Sequence, residues 1–238
     1  MRDFLRRRFS REEVVGLAFT VSFLTLGVLA VALGWLAHEI REEHGRPGAF
    51  DVSLRSAVIA ERSPALTEAM LDVSSSGDQR FLLFATPVVA LVLWVKRRHV
   101  SALLFVGSVL GGFGLSSLLK ISLARARPDQ WSAIVREKTY SFPSGHTVMA
   151  TVFFGGLAAI VFHLTGRRTF RLLAVAGAAA IVAAVAVSRV YLGAHWVTDT
   201  VGGMLTGLVW VVVFSATTET MERAKARKTA RSQGGGAR

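Results

Sequence analysis

The chain has no cysteine and few charged residues: Asp, Glu, Lys and Arg make up 18% of its 238 positions. The absence of cysteine excludes disulfides and cysteine-based metal sites. It leaves the compartment open, because short loops need no covalent cross-link. Hydrophobic residues account for 52% of the chain, and its mean hydropathy is +0.46. This composition is too apolar for one soluble domain and is typical of a helical membrane protein.

Six apolar stretches approach the roughly 20 helical residues that cross about 30 Å of hydrocarbon. The second is the shortest, and its apolar part begins only at Phe81. The first is too long for the core of a signal peptide and lacks a clear cleavage site, so we expect it to be retained. The sequence thus predicts an all-α, polytopic bundle of about six transmembrane helices, near residues 14–37, 79–95, 100–119, 147–164, 170–188 and 196–217.

The remaining sequence adds no second domain and no fixed-period repeat. We assign residues 14–217 to one membrane domain, residues 1–13 to a basic N-terminal segment and residues 218–238 to a mobile basic tail. Ser63 and Pro64 predict a helix start, and Leu66 and Met70 belong to an apolar stripe that follows it. This short helix is expected either on the bilayer surface or packed against the bundle.

Acidic residues are scarce, with 16 Asp and Glu against 28 Lys and Arg, and the formal net charge is +12. Placing both termini in the cytoplasm puts all of this net charge on the inner side, as the positive-inside rule requires. Topology and anionic lipid headgroups explain the basic character better than nucleic acid, so no nucleic acid partner is predicted.

Three short patterns place polar residues at the ends of apolar segments. The first is Lys120, six residues, then Arg127-Pro128; one such cation more often reaches toward lipid headgroups, but these lie on the predicted outer side. The second is Pro143 to His146, where Ser144 and the following backbone amides begin a helix. Alone this is an ordinary helix cap, but an imidazole beside an anion site can exchange protons near neutral pH.

The third pattern is Ser188-Arg189, five residues, His195, three residues, Asp199. Four residues apart on a helix, His195 and Asp199 share one face, and the carboxylate can hold the imidazole in one tautomer. A lone histidine is more often structural, whereas one that is oriented by aspartate beside an arginine is a candidate nucleophile or base. The loops that hold the three patterns are predicted on the same outer face.

Together the patterns resemble the type-2 phosphatidic acid phosphatase superfamily, whose signature reads K-x6-RP, PSGH and SR-x5-H-x3-D. The resemblance spans Lys120 to Asp199, and the six apolar segments are similar to the membrane-bound branch of that family. It implies a lipid phosphatase that hydrolyses a phosphomonoester or diphosphate, such as undecaprenyl diphosphate, phosphatidylglycerophosphate or phosphatidate. The charge distribution, with both termini in the cytoplasm, places the active site on the extracytoplasmic face of the plasma membrane.

The resemblance implies a role for each signature residue. His195 would be the nucleophile that forms a phosphohistidine, Asp199 would orient it, and His146 would be the general acid and then the base. No metal or other cofactor is implied, and the sequence has no further metal-ligand cluster. The phosphoryl oxygens would be held by five residues: Lys120, Arg127, Ser144, Gly145 and Arg189.

Three other functions remain open at this stage. A lipid phosphotransferase would use the same phosphohistidine but pass the phosphoryl group to an acceptor. A vanadate-dependent haloperoxidase shares the anion site, although six spans argue against it. A non-catalytic membrane protein would only hold a lipid headgroup in its basic pocket. The substrate and the oligomeric state are not determined by these patterns.

Overall fold

The computed structural model of the chain describes residues 11–128 and 132–234. Regular structure in these ranges is helical throughout, which confirms the predicted all-α fold. Residues 1–10 of the predicted N-terminal segment and 235–238 of the predicted tail lie outside the described residues. The helices are α1 (Arg11–Glu42), α2 (Ala49–Ala60), α3 (Pro64–Ser75), α4 (Gln79–Val95), α5 (His99–Leu123), α6 (Gly145–Leu164), α7 (Arg168–Tyr191) and α8 (Val197–Gly234).

Five of the described helices, α1 and α5 to α8, are long and apolar enough to cross a membrane. The predicted second span coincides with α4, which has only 17 residues. Helices α3 and α4 together are long and apolar enough for a sixth span, bent by 44° at the short break between them. The described helices thus provide five spans, or six if α3 and α4 form one, which confirms the prediction of about six transmembrane helices.

Asp78 begins α4 at the bend by accepting hydrogen bonds from the backbone N–H groups of Arg80 and Phe81. This N-cap satisfies donors that the first helical turn leaves without intrahelical partners. Helix α3 begins similarly, because Ser63 Oγ accepts from Leu66 N at 3.3 Å and Pro64 occupies the first helical position. Helix α3 packs against α7, which favours the bundle over the bilayer surface as its location.

Helix α6 lies at the centre of the bundle, in contact with α4, α5, α7 and α8. Its buried residues include Val148, Met149, Val152 and Phe153, which lie in the main apolar core. A larger share of α6 is buried inside the bundle than of any other described spanning helix. Because α6 contacts four other helices, its N-terminal end is held in a defined position in the bundle.

Glycines of α8 allow its backbone to approach α6 closely. A Cβ at Gly203 would lie 2.9 Å from Ser144 O, and one at Gly207 would lie 2.5 Å from the Thr151 Cβ. Such small residues permit close helix packing in membranes, as the sequence predicts. The equivalent pair in α5 behaves differently: a Cβ at Gly111 would meet the Trp210 ring, but Gly107 faces open space.

Helix α8 is much longer than a membrane span. It continues without interruption through the predicted boundary at residue 217 as far as Gly234. The predicted basic tail therefore begins as an extension of the last spanning helix.

Candidate active site

The three sequence patterns meet at one end of the bundle, where α5 and α7 end and α6 and α8 begin. Arg127 Nη1 donates to the Ala194 carbonyl at 2.6 Å, which joins the first pattern to the third. Ser144 N donates to the Asp199 carbonyl at 2.9 Å, which joins the second to the third. All eight predicted site residues lie in this region, although their chemical roles remain predictions.

His195 and Asp199 form a buried pair, with His195 Nδ1 3.4 Å from Asp199 Oδ2. They do not share a helix face as the spacing suggested, because α8 begins at Val197 and His195 precedes it. The pair forms because Asp199 lies in the first turn and reaches back, its Oδ2 accepting Trp196 N at 2.8 Å. This is the carboxylate half of a capping box, favoured by the helix dipole.

Arg127 determines the tautomer of His195. Its Nη1 lies 3.3 Å from His195 Nε2, and a guanidinium has only donors, so Nε2 is the acceptor. The ring proton is therefore on Nδ1, where it faces Asp199. The lone pair of Nε2 therefore points toward Arg127.

The protonation state of His195 follows from its surroundings. Burial lowers the pKa of its imidazole well below the ordinary value, and the positive charges of Arg127, Arg189 and Lys120 lower it further. The ring is consequently neutral at physiological pH. A neutral imidazole has the free electron pair that a nucleophile requires.

The second pattern forms a buried turn at the start of α6. Ser144 is the N-cap residue, and its hydroxyl accepts a hydrogen bond from Thr147 Oγ1 at 3.0 Å. Gly145 follows as the first helical residue, and a Cβ there would lie only 1.6 Å from Gln79 Nε2. A glycine at this position therefore lets α4 close against the helix start. Backbone amides at a helix N-terminus are suited to binding anions.

His146 lies between two carboxylates. Its Nε2 is 3.7 Å from Asp78 Oδ2, and its Nδ1 is 3.9 Å from Glu137 Oε1. Glu137 Oε2 is in turn 3.6 Å from Arg127 Nη2, and Arg127 contacts His195. The two histidines thus border one region, which is occupied in part by the Glu137 carboxylate.

The other predicted cations face the same region. Lys120, in the last turn of α5, donates from Nζ to the Tyr140 carbonyl at 2.7 Å. Arg189, in the last turn of α7, donates to Ser74 Oγ at 2.7 Å and forms an ion pair with Glu137. Its buried Nε has no hydrogen-bond partner among the described residues. Such a donor is costly to bury unless an acceptor can reach it.

The sequence patterns assigned no role to Arg125 and did not reveal its partner Asp51. Arg125 is buried and donates to Asp199 Oδ1 and to Asp51 Oδ2, each at 2.7 Å. Asp51 also accepts from Thr198 N and Thr198 Oγ1, so this network ties α2 to the start of α8. Arg125 lies two residues before Arg127, which was the only sequence signal. Nothing near Asp51 marked it as part of the site.

Glu137 was also missed, since it lies outside the three patterns. Burial alone raises the pKa of its carboxyl, but Arg189 and Arg127, with smaller effects from His195 and His146, hold the net pKa below its ordinary value. Glu137 is therefore ionised at neutral pH. It is the carboxylate that bridges the two arginines of the site.

The chain has relatives among known proteins. The chain is 32% identical to phosphatidylglycerophosphatase B of Bacillus subtilis over 73% of its length and 85% of that protein. It is 27% identical to an undecaprenyl-diphosphatase of Sulfolobus acidocaldarius, over 71% of this chain and 79% of the relative. The crystal structure of a transmembrane PAP2-type phosphatidylglycerolphosphate phosphatase from Bacillus subtilis superposes with a TM-score of 0.74 at 28% identity, covering 82% of this chain and 96% of that one. Because the profile of the PAP2 superfamily also matches residues 101–222, the chain belongs to the PAP2 superfamily.

Proposed function

We propose that the protein is an integral membrane lipid phosphatase that removes a terminal phosphate from a lipid through a phosphohistidine intermediate. The observation that carries this proposal is the position of His195: its Nε2 lone pair faces the cationic region, with Arg127 3.3 Å away, while Asp199 lies behind Nδ1. Nucleophile, orienting carboxylate and anion-binding groups are thereby assembled in one site.

In the first chemical step, His195 Nε2 attacks phosphorus and the bond to the leaving oxygen breaks. A positive charge develops on the imidazole as the P–N bond forms. Asp199 stabilises this charge, and the proton stays on Nδ1 of the imidazole. The carboxylate is held in place because Arg125, Ser141 and the Trp196 amide all donate to it.

Negative charge spreads over the phosphoryl oxygens in the transition state, and the site provides donors for them. Arg127 and Arg189 supply guanidinium groups, Lys120 supplies an ammonium, and Ser144 and the Gly145 amide supply the helix N-terminus. Interactions with developing charge in a site shielded from water contribute strongly to catalysis. The buried Nε of Arg189, which lacks a partner among the described residues, is available for this purpose.

His146 acts on the leaving group. As an acid it protonates the departing oxygen, and as a base it then takes a proton from water. The water attacks phosphorus, the P–N bond breaks, and phosphate and neutral His195 are released. Before substrate binds, the carboxylates of Asp78 and Glu137 lie 3.7 and 3.9 Å from the His146 ring.

Fixed cations take the part that a metal ion plays in many phosphatases. Three basic side chains already face the site, so charge neutralisation needs no metal, and we propose a metal-independent reaction. Orthovanadate, which mimics five-coordinate phosphorus, should inhibit, and a chelator should not. Inhibition by EDTA that is reversed by added metal would contradict this part of the proposal.

The proposed location is the plasma membrane, with cytoplasmic termini and the site on the extracytoplasmic face. The basic segments at the opposite end of the bundle support this orientation, since Lys and Arg accumulate in cytoplasmic loops. The names of the two relatives support phosphatidylglycerophosphate and undecaprenyl diphosphate as candidate substrates. Phosphatidate is a third candidate, because it too carries a terminal phosphomonoester.

The proposal is tested with purified protein in detergent and a panel of lipid phosphates, measuring released phosphate. Wild type should act on at least one of the three candidates. The variant His195→Ala should lose turnover. Asp199→Asn should retain a small fraction of the wild-type rate, by analogy with triads whose orienting carboxylate is replaced. If His195 carries the phosphoryl group, wild type trapped with labelled substrate should hold a phosphoryl label that is stable to base and lost in acid, and His195→Ala should hold none.

Other outcomes separate the alternative functions. Transfer of the phosphoryl group to an added acceptor without free phosphate would indicate a phosphotransferase. Retention of every wild-type activity by His195→Ala would indicate a headgroup-binding protein instead. Peroxidase activity with bound vanadate would indicate a haloperoxidase.

A further inference from the structure

Glu137 lies where the proposed mechanism needs phosphoryl oxygens. Its Oε1 pairs with Arg189 and is 3.9 Å from His146 Nδ1, and its Oε2 is 3.6 Å from Arg127. These three partners belong to three separate elements of the site. A carboxylate and a phosphoryl group present similar oxygens to a guanidinium, so both are suited to the same donors.

The loop that carries Glu137 also occupies the other donors of the site. Arg127 Nη2 donates to Thr139 Oγ1 and to the Tyr140 carbonyl, each at 3.1 Å. Lys120 Nζ donates to the same Tyr140 carbonyl at 2.7 Å. The cations proposed to bind phosphate are therefore all engaged by residues 137–140 in this structure.

The loop is anchored on both sides of Glu137. Ile134 N donates to the Leu192 carbonyl at 2.9 Å, and Arg62 Nη1 donates to the Ser132 carbonyl at 2.7 Å. On the other side, Ser141 N donates to the Arg125 carbonyl at 2.9 Å. The Glu137 side chain is 26% exposed, so it can leave the cations by rotating toward solvent without release of these anchors.

We propose that Glu137 is an internal counter-ion that substrate must displace, and that this exchange selects headgroups with two negative charges. The inference rests on the proposed function, since it assumes that the arginines bind the substrate phosphate. Replacing a carboxylate of charge −1 by a phosphomonoester dianion or a terminal diphosphate increases the attraction to the cations. A phosphodiester of charge −1 gains nothing in this exchange, so common diester phospholipids are excluded although they surround the site.

The test compares Glu137→Gln with wild type by direct anion binding, which does not depend on turnover. The probes are orthovanadate, inorganic phosphate and the monoanionic diester diethyl phosphate, titrated into protein in detergent. Glu137→Gln keeps the size of the side chain and removes the competing charge. Its dissociation constants for orthovanadate and phosphate should fall about tenfold, and diethyl phosphate should bind measurably only to this variant.

Two control variants sharpen the test. Glu68→Gln removes one negative charge from an exposed position of α3 on the same side of the bundle, and it should bind anions as wild type does. Glu137→Asp keeps the charge and should remain close to wild type. Thermal unfolding of each variant in detergent establishes that it is folded.

The outcomes distinguish this inference from the proposed function. Tighter anion binding by Glu137→Gln supports the counter-ion even if no lipid phosphate is hydrolysed, in which case the proposed function alone fails. Unchanged or weaker binding by a folded Glu137→Gln overturns the counter-ion, whether or not wild type releases phosphate. If activity is present, the variant should also show a lower KM and stronger inhibition by a diester phospholipid.

Discussion

The buried guanidinium of Arg125 lies 2.7 Å from Oδ1 of Asp199, on the opposite carboxylate oxygen from the one that faces His195. The ion pair gives the Asp199 carboxylate a cationic partner in a site shielded from water. It also positions the carboxylate, because Arg125 is held in turn by Asp51. Arg125 is thus a positioning residue that acts on the proposed nucleophile through Asp199.

Replacing Arg125 should impair both stability and activity. Arg125→Ala leaves two buried carboxylates, Asp51 and Asp199, without their cation, and breaking such a buried pair costs about 3–5 kcal/mol. Arg125→Lys keeps the charge but loses the two-pronged contact, so it should fold and release phosphate about 10- to 100-fold more slowly. Thermal unfolding and steady-state kinetics in detergent measure these effects. Wild-type stability and kcat in Arg125→Ala would show that the network is dispensable.

The pH dependence of kcat/KM should reflect the environment of His195. Burial and then Arg127 lower the pKa of its imidazole, so the nucleophile is neutral above that lowered pKa and is lost as the pH falls through it. The acid limb of the profile should therefore lie below the ordinary histidine pKa of about 6.5. Arg127→Gln removes a positive charge that lowers this pKa, so the acid limb should move to higher pH even if kcat/KM falls.

Lys138→Gln provides the control for that shift. It removes a positive charge from an exposed position in the same loop, and its acid limb should coincide with that of wild type. An acid limb in Arg127→Gln at or below the wild-type position would show that Arg127 does not set the protonation of His195.

The fold and the signature residues were predictable because both depend on local sequence. Apolar segments report membrane spans directly, and the fixed spacings around His146 and His195 report the site through family resemblance. Their convergence also followed from helix parity, because loops separated by an even number of spans lie on one face. The break between α3 and α4 was less apparent from the sequence. It follows from Asp78, which caps α4, a helix of only 17 residues.

The residues that sequence reasoning missed act through contacts between distant loops. Asp51 meets Arg125 from 74 residues away, and Glu137 meets Arg189 from 52 residues away. Neither carboxylate has a neighbour in sequence that would reveal its partner. The prediction that His195 and Asp199 share a helix face was wrong. The four-residue spacing suggested one helix, but α8 begins only at Val197, and His195 lies in the loop before its cap, Trp196.

Close packing of α8 against α6 predicts the effect of two glycine substitutions. In Gly203→Ala the new Cβ would lie 2.9 Å from Ser144 O and from the Thr147 Cβ, so the helix start that carries Ser144 must shift. Overpacking of this kind costs about 1–3 kcal/mol, and phosphate release should fall with it. Gly114→Ala is the matched control in α5, where the new Cβ meets no other part of the described chain within 4 Å. It should leave activity unchanged, and equal losses in the two variants would contradict the packing argument.

The lack of cysteine allows the proposed orientation to be tested with single-cysteine variants. Glu61 is exposed between α2 and α3, on the side of the site, and Lys96 is exposed beyond α4, at the opposite end of the bundle. A membrane-impermeant maleimide added to intact cells should label Glu61→Cys, because we place that end outside. It should label Lys96→Cys only after the membrane is permeabilised, since the basic loop is expected in the cytoplasm. The reverse pattern would place the site in the cytoplasm and would require a cytoplasmic lipid phosphate as substrate.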